Sequence, residues 1–128
     1  MALRLLLDTD VLIDYFRGRI EALAFLRARA ELILISVITV AELYGGVREE
    51  EERRAVEQFL AAMEIIPVDA AIAQKGGLYR RDYGPSHAVG LADALIAATA
   101  ELHQARLVTL NVRHFPMVEV EVPYSKPE

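Results

Sequence analysis

The 128-residue chain contains no cysteine. That absence excludes disulfide bonds and thiolate metal sites, and it fits a reducing, cytoplasmic setting. Lysine is nearly absent as well, at Lys75 and Lys126 alone, so the cations are almost all arginine. Aromatic residues make up only 7% against 54% hydrophobic, which calls for an aliphatic, alanine-rich core of closely packed helices. No uncharged stretch approaches the roughly 20 residues that a membrane helix requires. The longest apolar run, Leu32 to Ala41, falls well short, so a soluble chain with no membrane contact is expected. A secretory leader is not expected either, because Arg4 is a lone basic residue and Asp8 and Asp10 interrupt the first apolar segment too early. An excess of positive charge is also missing. The net charge of −5 disfavours nonspecific nucleic-acid binding by bulk attraction. It leaves open a local rim of phosphate-chelating arginines at Arg48, Arg53, Arg54, Arg80, Arg81 and Arg113, beside the plainer reading of these residues as solvated charges on helices. His87, His103 and His114 share no metal-ligand spacing.

What is present is an alternation of short apolar segments with helix-length stretches. Residues 3–7 read as a first strand. Helical periodicity follows over Val11–Phe16, broken by Gly18, and again over Ile20–Ala30. Leu32–Ile35 reads as a second strand and Thr39–Val47 as a helix closed by Gly45-Gly46. The charge run from Glu49 opens a helix reaching Met63, with acids at its positive end. Ile65–Val68 reads as a third strand, and Asp69 caps a helix to about Tyr83. Tyr83-Gly84-Pro85-Ser86-His87 reads as a loop and Leu91–His103 as a helix. Arg106–Leu110 is a fourth strand ending at Asn111, and Val118–Val122 a fifth. One domain over residues 1–123 is expected, followed by a tail at 124–128. The alternation implies an α/β fold, a central parallel sheet of four to five strands with helices on both faces.

Ligands in open parallel sheets bind beyond the carboxyl ends of the strands. Asp8 ends the first strand there and Asn111 the fourth. Glu42 falls in the first turn of the helix after strand two, and Asp93 in the first turn of the helix before strand four. Each has an ordinary structural explanation. Asp8 and Asp10 suit helix caps, Thr39 to Glu42 fits a capping box, Asp93 favours a helix dipole, and Asn111 suits a turn. If three carboxylates do meet, each pair about 4 Å apart repels by roughly 4 kcal/mol at an effective dielectric near 20. Protons or a cation must offset that. An oxygen-only set favours Mg²⁺ or Mn²⁺ over zinc, the ions of metal-assisted phosphodiester cleavage. Thr9, Ser36 and Thr109 stand beside these positions as hydroxyls able to orient the carboxylates.

Four segments are familiar together. Leu6-Leu7-Asp8-Thr9-Asp10-Val11-Leu12-Ile13-Asp14 resembles the opening motif of PIN-domain proteins, especially VapC-type toxins. Ile35-Ser36-Val37-Ile38-Thr39-Val40-Ala41-Glu42-Leu43-Tyr44-Gly45-Gly46 resembles their second motif, Ala92-Asp93-Ala94-Leu95-Ile96-Ala97-Ala98-Thr99-Ala100 the third, and Leu107-Val108-Thr109-Leu110-Asn111-Val112-Arg113-His114-Phe115 the fourth. The resemblance implies a PIN-like three-layer sandwich. It also implies a Mg²⁺- or Mn²⁺-dependent endoribonuclease, the toxin of a toxin–antitoxin pair. Asp8, Glu42 and Asp93 would form the acidic metal site, with Asn111 as a fourth catalytic position. A homodimer and a small VapB-like antitoxin covering the acidic groove are further implications, with DNA contacted only through the antitoxin. The departure is Asn111, where many PIN domains carry Asp; a neutral ligand weakens a second metal site and favours one metal, or a second ion recruited with the RNA phosphate, with Asp10 read either as a partial compensation or as a helix-start residue.

Two other classes compete. A degenerate PIN module that binds RNA or a protein without cleaving is consistent with Asn111 and the negative net charge. Asp8-Thr9-Asp10-Val11 after an apolar strand also suits a haloacid-dehalogenase-type phosphatase with Asp8 as nucleophile. That class needs a downstream lysine and a late acidic pair, and only Lys75 and Lys126 are available.

Overall fold

Leu5, Leu6 and Leu7 are each no more than 2% exposed, because the strand they form is covered on both faces. The computed structural model describes residues 3–126. Five strands, β1 (Leu5–Leu7), β2 (Ile33–Ser36), β3 (Glu64–Ile66), β4 (Arg106–Val108) and β5 (Val120–Glu121), pair in parallel in the order β3-β2-β1-β4-β5. Leu5 registers with Ile33 on one side and Arg106 on the other, so β1 is the central strand.

Side chains of a strand alternate between faces, and the core divides accordingly. Leu5, Leu7, Ile33, Ile35 and Val108 pack beneath α1 (Thr9–Phe16), α2 (Ile20–Arg29), α3 (Val37–Gly45) and α4 (Glu50–Ala61), meeting Val11, Leu12, Leu26, Leu43 and Val56. Leu6, Leu34, Ile66 and Leu107 face the other way, against α5 (Ala70–His87) and α6 (Leu91–Leu102), where Ile72, Ile96, Ala97, Ala98, Ala100 and Phe115 fill the space. This is the expected layering of a parallel sheet between two helical layers. Among the described residues no helix is long and apolar enough to cross a membrane.

Several boundaries differ from the sequence expectation, each for a local reason. The first helix starts at Thr9 rather than Val11, because Asp8 in extended conformation caps it by accepting from the Thr9 amide at 2.8 Å. Ser36 does the same for α3, accepting from the Ile38 amide at 3.0 Å. That start moves Glu42 from the first turn to the second, so the Thr39–Glu42 capping box does not form. The stretch expected to be a loop, Tyr83–His87, is helical: α5 runs through Gly84 and Pro85. A proline inside a helix removes one bond to the carbonyl four residues earlier. Here that loss falls in an exposed last turn, and the Ala88 amide closes the helix on the Gly84 carbonyl at 3.0 Å. Ala88 does so in the left-handed region at φ 54°. Strands β3, β4 and β5 are each shorter than expected, since pairing stops where the chain turns toward the sheet edge. The segment after β5 is tied back to α1. The Tyr124 hydroxyl donates to Asp14 Oδ2 at 2.7 Å, and Lys126 Nζ lies 3.0 Å from Asp14 Oδ1.

The two glycines at the middle of α5 face different surroundings. A Cβ on Gly76 would sit 2.6 Å from Leu95 Cδ2 and 3.2 Å from Leu95 Cα, whereas one on Gly77 meets nothing within 4 Å. The close approach of α5 to α6 therefore depends on Gly76. Gly76→Val is expected to lose about 1–3 kcal/mol by overpacking, and Gly77→Ala to gain about 0.5–1 kcal/mol from helix propensity. Urea denaturation of the two variants measures both signs.

Candidate active site

The carboxyl edge of the sheet gathers the acidic residues because β1, β2 and β4 all end there. Asp8 follows β1 directly, with its amide bonded to the Val108 carbonyl of β4 at 2.9 Å. The residue is only 6% exposed. Oδ1 accepts from the Thr9 amide, and Oδ2 from the Thr109 hydroxyl at 2.8 Å. Thr109, the residue after β4, is fully buried, and its hydroxyl lies 3.4 Å from Asp10 Oδ2. Asp10 Oδ2 in turn accepts from the Leu110 amide at 3.1 Å. One threonine hydroxyl thus stands between two carboxylates and ties the end of β4 to the start of α1.

Glu42 arrives from α3. The Thr9 hydroxyl donates to Glu42 Oε1 at 2.6 Å and lies 3.2 Å from the buried Thr39 hydroxyl. Asp93 arrives from the first turn of α6, which starts at the same edge and descends toward β4. His114, in the turn Val112–His114 beyond β4, fixes that placement: its Nδ1 lies 3.1 Å from Asp93 Oδ2. Asn111 Nδ2 lies 2.9 Å from the same Nδ1. Since Nδ1 serves as donor or acceptor but not both, a proton there points to Asp93, and its absence lets Nδ1 accept from the Asn111 amide.

Asp8, Glu42, Asp93, Thr9 and Thr109 are therefore brought to one edge. The Asn111 side chain reaches it through His114 and its backbone amide through Thr109, whereas Ser36 does not reach it, its hydroxyl being used to cap α3. Two residues matter more than their motifs suggested. Asp10 is half-buried, and its Oδ1 lies inside with no hydrogen-bond partner. His114 touches Asp93; its signal in the sequence was only its position three residues after Asn111. Of the arginine rim, Arg53 pairs with Glu57 and Arg81 with Asp82, while Arg48 and Arg113 border concavities. Neither lysine serves a phosphatase site. Lys75 lies over the Tyr79 ring, and Lys126 pairs with Asp14.

Electrostatics reflects the crowding. Burial, then repulsion from Asp10, pushes the Asp8 carboxyl from 3.8 up to about 7, against the Thr109 and Thr9 donors and with a further push from Asp93. Burial raises Asp10 as well, opposed by the Leu110 and Val11 amides. Among the described residues no three metal-ligating groups stand close enough, as placed, to close around one ion. The donor chemistry nevertheless fits a hard divalent cation. The oxygens are carboxylates without thiolate or clustered imidazole, and the orphaned Asp10 Oδ1 is a buried acceptor without a donor.

Comparison with known proteins places this arrangement. The PIN domain family model matches residues 5–120. Ribonuclease VapC10 of Mycobacterium tuberculosis is 44% identical over 127 residues, covering 96% of this chain and 95% of that protein. Ribonuclease VapC19 of the same organism is 42% identical, covering 93% and 98%. Among solved structures, a toxin–antitoxin complex from Klebsiella pneumoniae superposes with a TM-score of 0.80 at 33% identity, over 94% of this chain and 98% of that one. DNA-bound VapBC from Salmonella typhimurium does so with 0.81 at 26% identity and the same coverage. With its sheet order, its four motifs and these relatives in agreement, the chain belongs to the PIN-domain family, among the VapC ribonucleases.

Proposed function

We propose that this chain is an endoribonuclease that cuts RNA phosphodiester bonds with Mg²⁺ or Mn²⁺, the toxin of a VapBC-type pair, with Asp8, Glu42 and Asp93 holding the ion. The observation that carries the reading is the sheet edge at the end of β1, where Asp8 lies, to which Thr9 ties Glu42 and on which Asp93 is held by His114. There Asp8 is buried and its carboxyl driven up to about 7. A bound divalent ion neutralises such a cluster, polarises a phosphoryl oxygen and makes water a better nucleophile. The protein's own part is positioning and proton transfer. Asp8, fixed by the Thr9 amide and the Thr109 hydroxyl, keeps one geometry. A neighbouring carboxylate that does not hold the ion takes the proton of an attacking water. Thr9 orients Glu42 and His114 orients Asp93. Asn111, as the partner of His114, adds a neutral amide beside the RNA.

The partner in this reading is a small antitoxin. The cleft of about 610 Å³ between α1, α3 and α4 begins at Glu42 and is lined by Ile13, Phe16, Leu43 and Val47 together with Arg17 and Arg48. An apolar segment carrying a basic residue suits it, and such a segment would shield the carboxylates. The toxin–antitoxin complexes among the similar structures support this partner, and the DNA-bound one supports DNA contact through the antitoxin. We further read the chain as one domain over residues 1–123 followed by a C-terminal tail at 124–128, and as a cytoplasmic homodimer.

Asp93→Asn is expected to cut a generic RNA at least about 100-fold more slowly while keeping the wild-type melting temperature or exceeding it. Chelation should silence the wild type, and Mn²⁺ or Mg²⁺ should restore it; full cleavage by Asp93→Asn after the same treatment would falsify the site. The raised Asp8 pKa has a thermodynamic consequence. A carboxyl that holds its proton more tightly folded than unfolded stabilises the fold in acid, and that contribution disappears as the pH rises from about 4 to about 7. In metal-free buffer Asp8→Asn should therefore melt above wild type at about pH 8, with the gap shrinking toward about pH 4. Calorimetry at both pH values checks it, and a gap that does not change with pH contradicts the assignment.

A further inference from the structure

The acidic edge is flanked by two concavities of opposite chemistry. On the Glu42 side the cleft is lined by Glu49, Glu51 and Glu52 as well as Glu42, against Arg17 and Arg48. On the Asp93 side a second pocket, of about 400 Å³, is formed by the end of α5 and the turn beyond β4, and it is lined by Arg113, His114, His87 and Ser86 with no carboxylate. His114 is shared, being a wall of this pocket and the neighbour of Asp93.

Three features make this pocket an anion site rather than a surface dent. Arg113 is exposed and makes no ion pair among the described residues, so its planar fork of donors is free for an oxyanion. The Ser86 hydroxyl lies 2.8 Å from His87 Nδ1. In the tautomer in which the Ser86 hydroxyl donates to Nδ1, Nε2 carries the ring proton and is a second donor. Ala88 lines the wall as the left-handed residue that closes α5. Arg80 adds positive charge nearby, its guanidinium lying against Gly84 in the same wall.

We propose that this pocket holds a backbone phosphate of the RNA strand next to the one that is cleaved, gripped by Arg113 and His87. The inference rests on the ribonuclease reading and adds the direction of the strand. A polyanion crossing a cluster of carboxylates leaves on the side of Asp93, where cations line the surface, and not along the glutamates of the opposite cleft. Arg113 and His87 are binding residues in this account; they do not touch the reacting atoms.

The test compares wild type with Arg113→Gln/His87→Gln, with Arg113→Lys, and with Arg27→Gln on the exposed face of α2. The probe is a fluorescein-labelled single-stranded RNA. Mn²⁺-supported cleavage gives kcat and KM, and anisotropy in the Asp8→Asn background gives affinity against salt. The double variant should raise KM by about 10-fold with kcat unchanged. It should also flatten the slope of log affinity against log salt by about 0.7 for each phosphate that the protein no longer neutralises. Arg113→Lys should fall between, and Arg27→Gln should match wild type. Cleavage with unchanged KM and salt slope in the double variant overturns the pocket and leaves the ribonuclease reading standing. A wild type that neither binds nor cuts the RNA in Mn²⁺ overturns both.

Discussion

The structure depends on a buried carboxylate that satisfies two elements at once. Asp8 ends the central strand, caps the first helix through the Thr9 amide, and accepts from Thr109 at the end of β4. Those bonds lock the strand ends and the helix start into a single rigid corner. They also make Asp8 costly, because a carboxylate taken from water and set beside Asp10 resists ionisation. The residue that organises the corner is thus also the one that most needs a positive partner, which joins folding and chemistry at one atom group.

Around it the supporting hydroxyls divide their duties. Thr9 carries the corner outward to Glu42, and Thr109 carries it to Asp10 and, by accepting from the Asn111 amide at 3.0 Å, into the turn that holds His114. Both are small side chains at element ends, where a longer residue would separate the strands it joins. The far end of α1 is held separately by Asp14, whose carboxyl is kept below the usual carboxylate range. Its burial works against this, but hydrogen bonds from Lys126 and Tyr124 outweigh it. The helix that presents Asp8, Thr9 and Asp10 is therefore fixed at its start by the sheet and near its end by the closing segment of the chain.

The sheet and its layering were legible because Leu5–Leu7, Ile33–Ile35 and Leu107–Val108 are continuous apolar runs, the pattern of strands buried on both faces. The place of Asp8 at the sheet edge was legible for the same reason, since parallel strands deliver their ends to one edge, whereas that of Asp93 depends on where its helix enters, which spacing does not show. Three things were not. Gly84-Pro85 reads as a breaker, yet the helix passes through it, because an exposed last turn tolerates one missing bond. Thr39–Glu42 reads as a capping box, yet Ser36 takes the cap and frees Glu42 for Thr9. His114 was invisible as a neighbour of Asp93, because that approach depends on how a three-residue turn folds after β4, which spacing does not encode.

Asn111 now has a physical explanation. Asp8 and Asp10 already share a hydroxyl, Asp8 already feels the repulsion of Asp93, and Asp10 has an oxygen with no donor. A further carboxylate at 111 would add to that repulsion. A neutral amide at 111 avoids that load while still meeting the His114 ring. It also keeps the edge graded in charge, from the carboxylates of Asp8 and Asp93 through a neutral amide and an imidazole to the guanidinium of Arg113. A chain with net charge −5 has little general attraction for a polyanion, so in the proposed account that local gradient is what would draw a phosphate backbone toward the acidic edge.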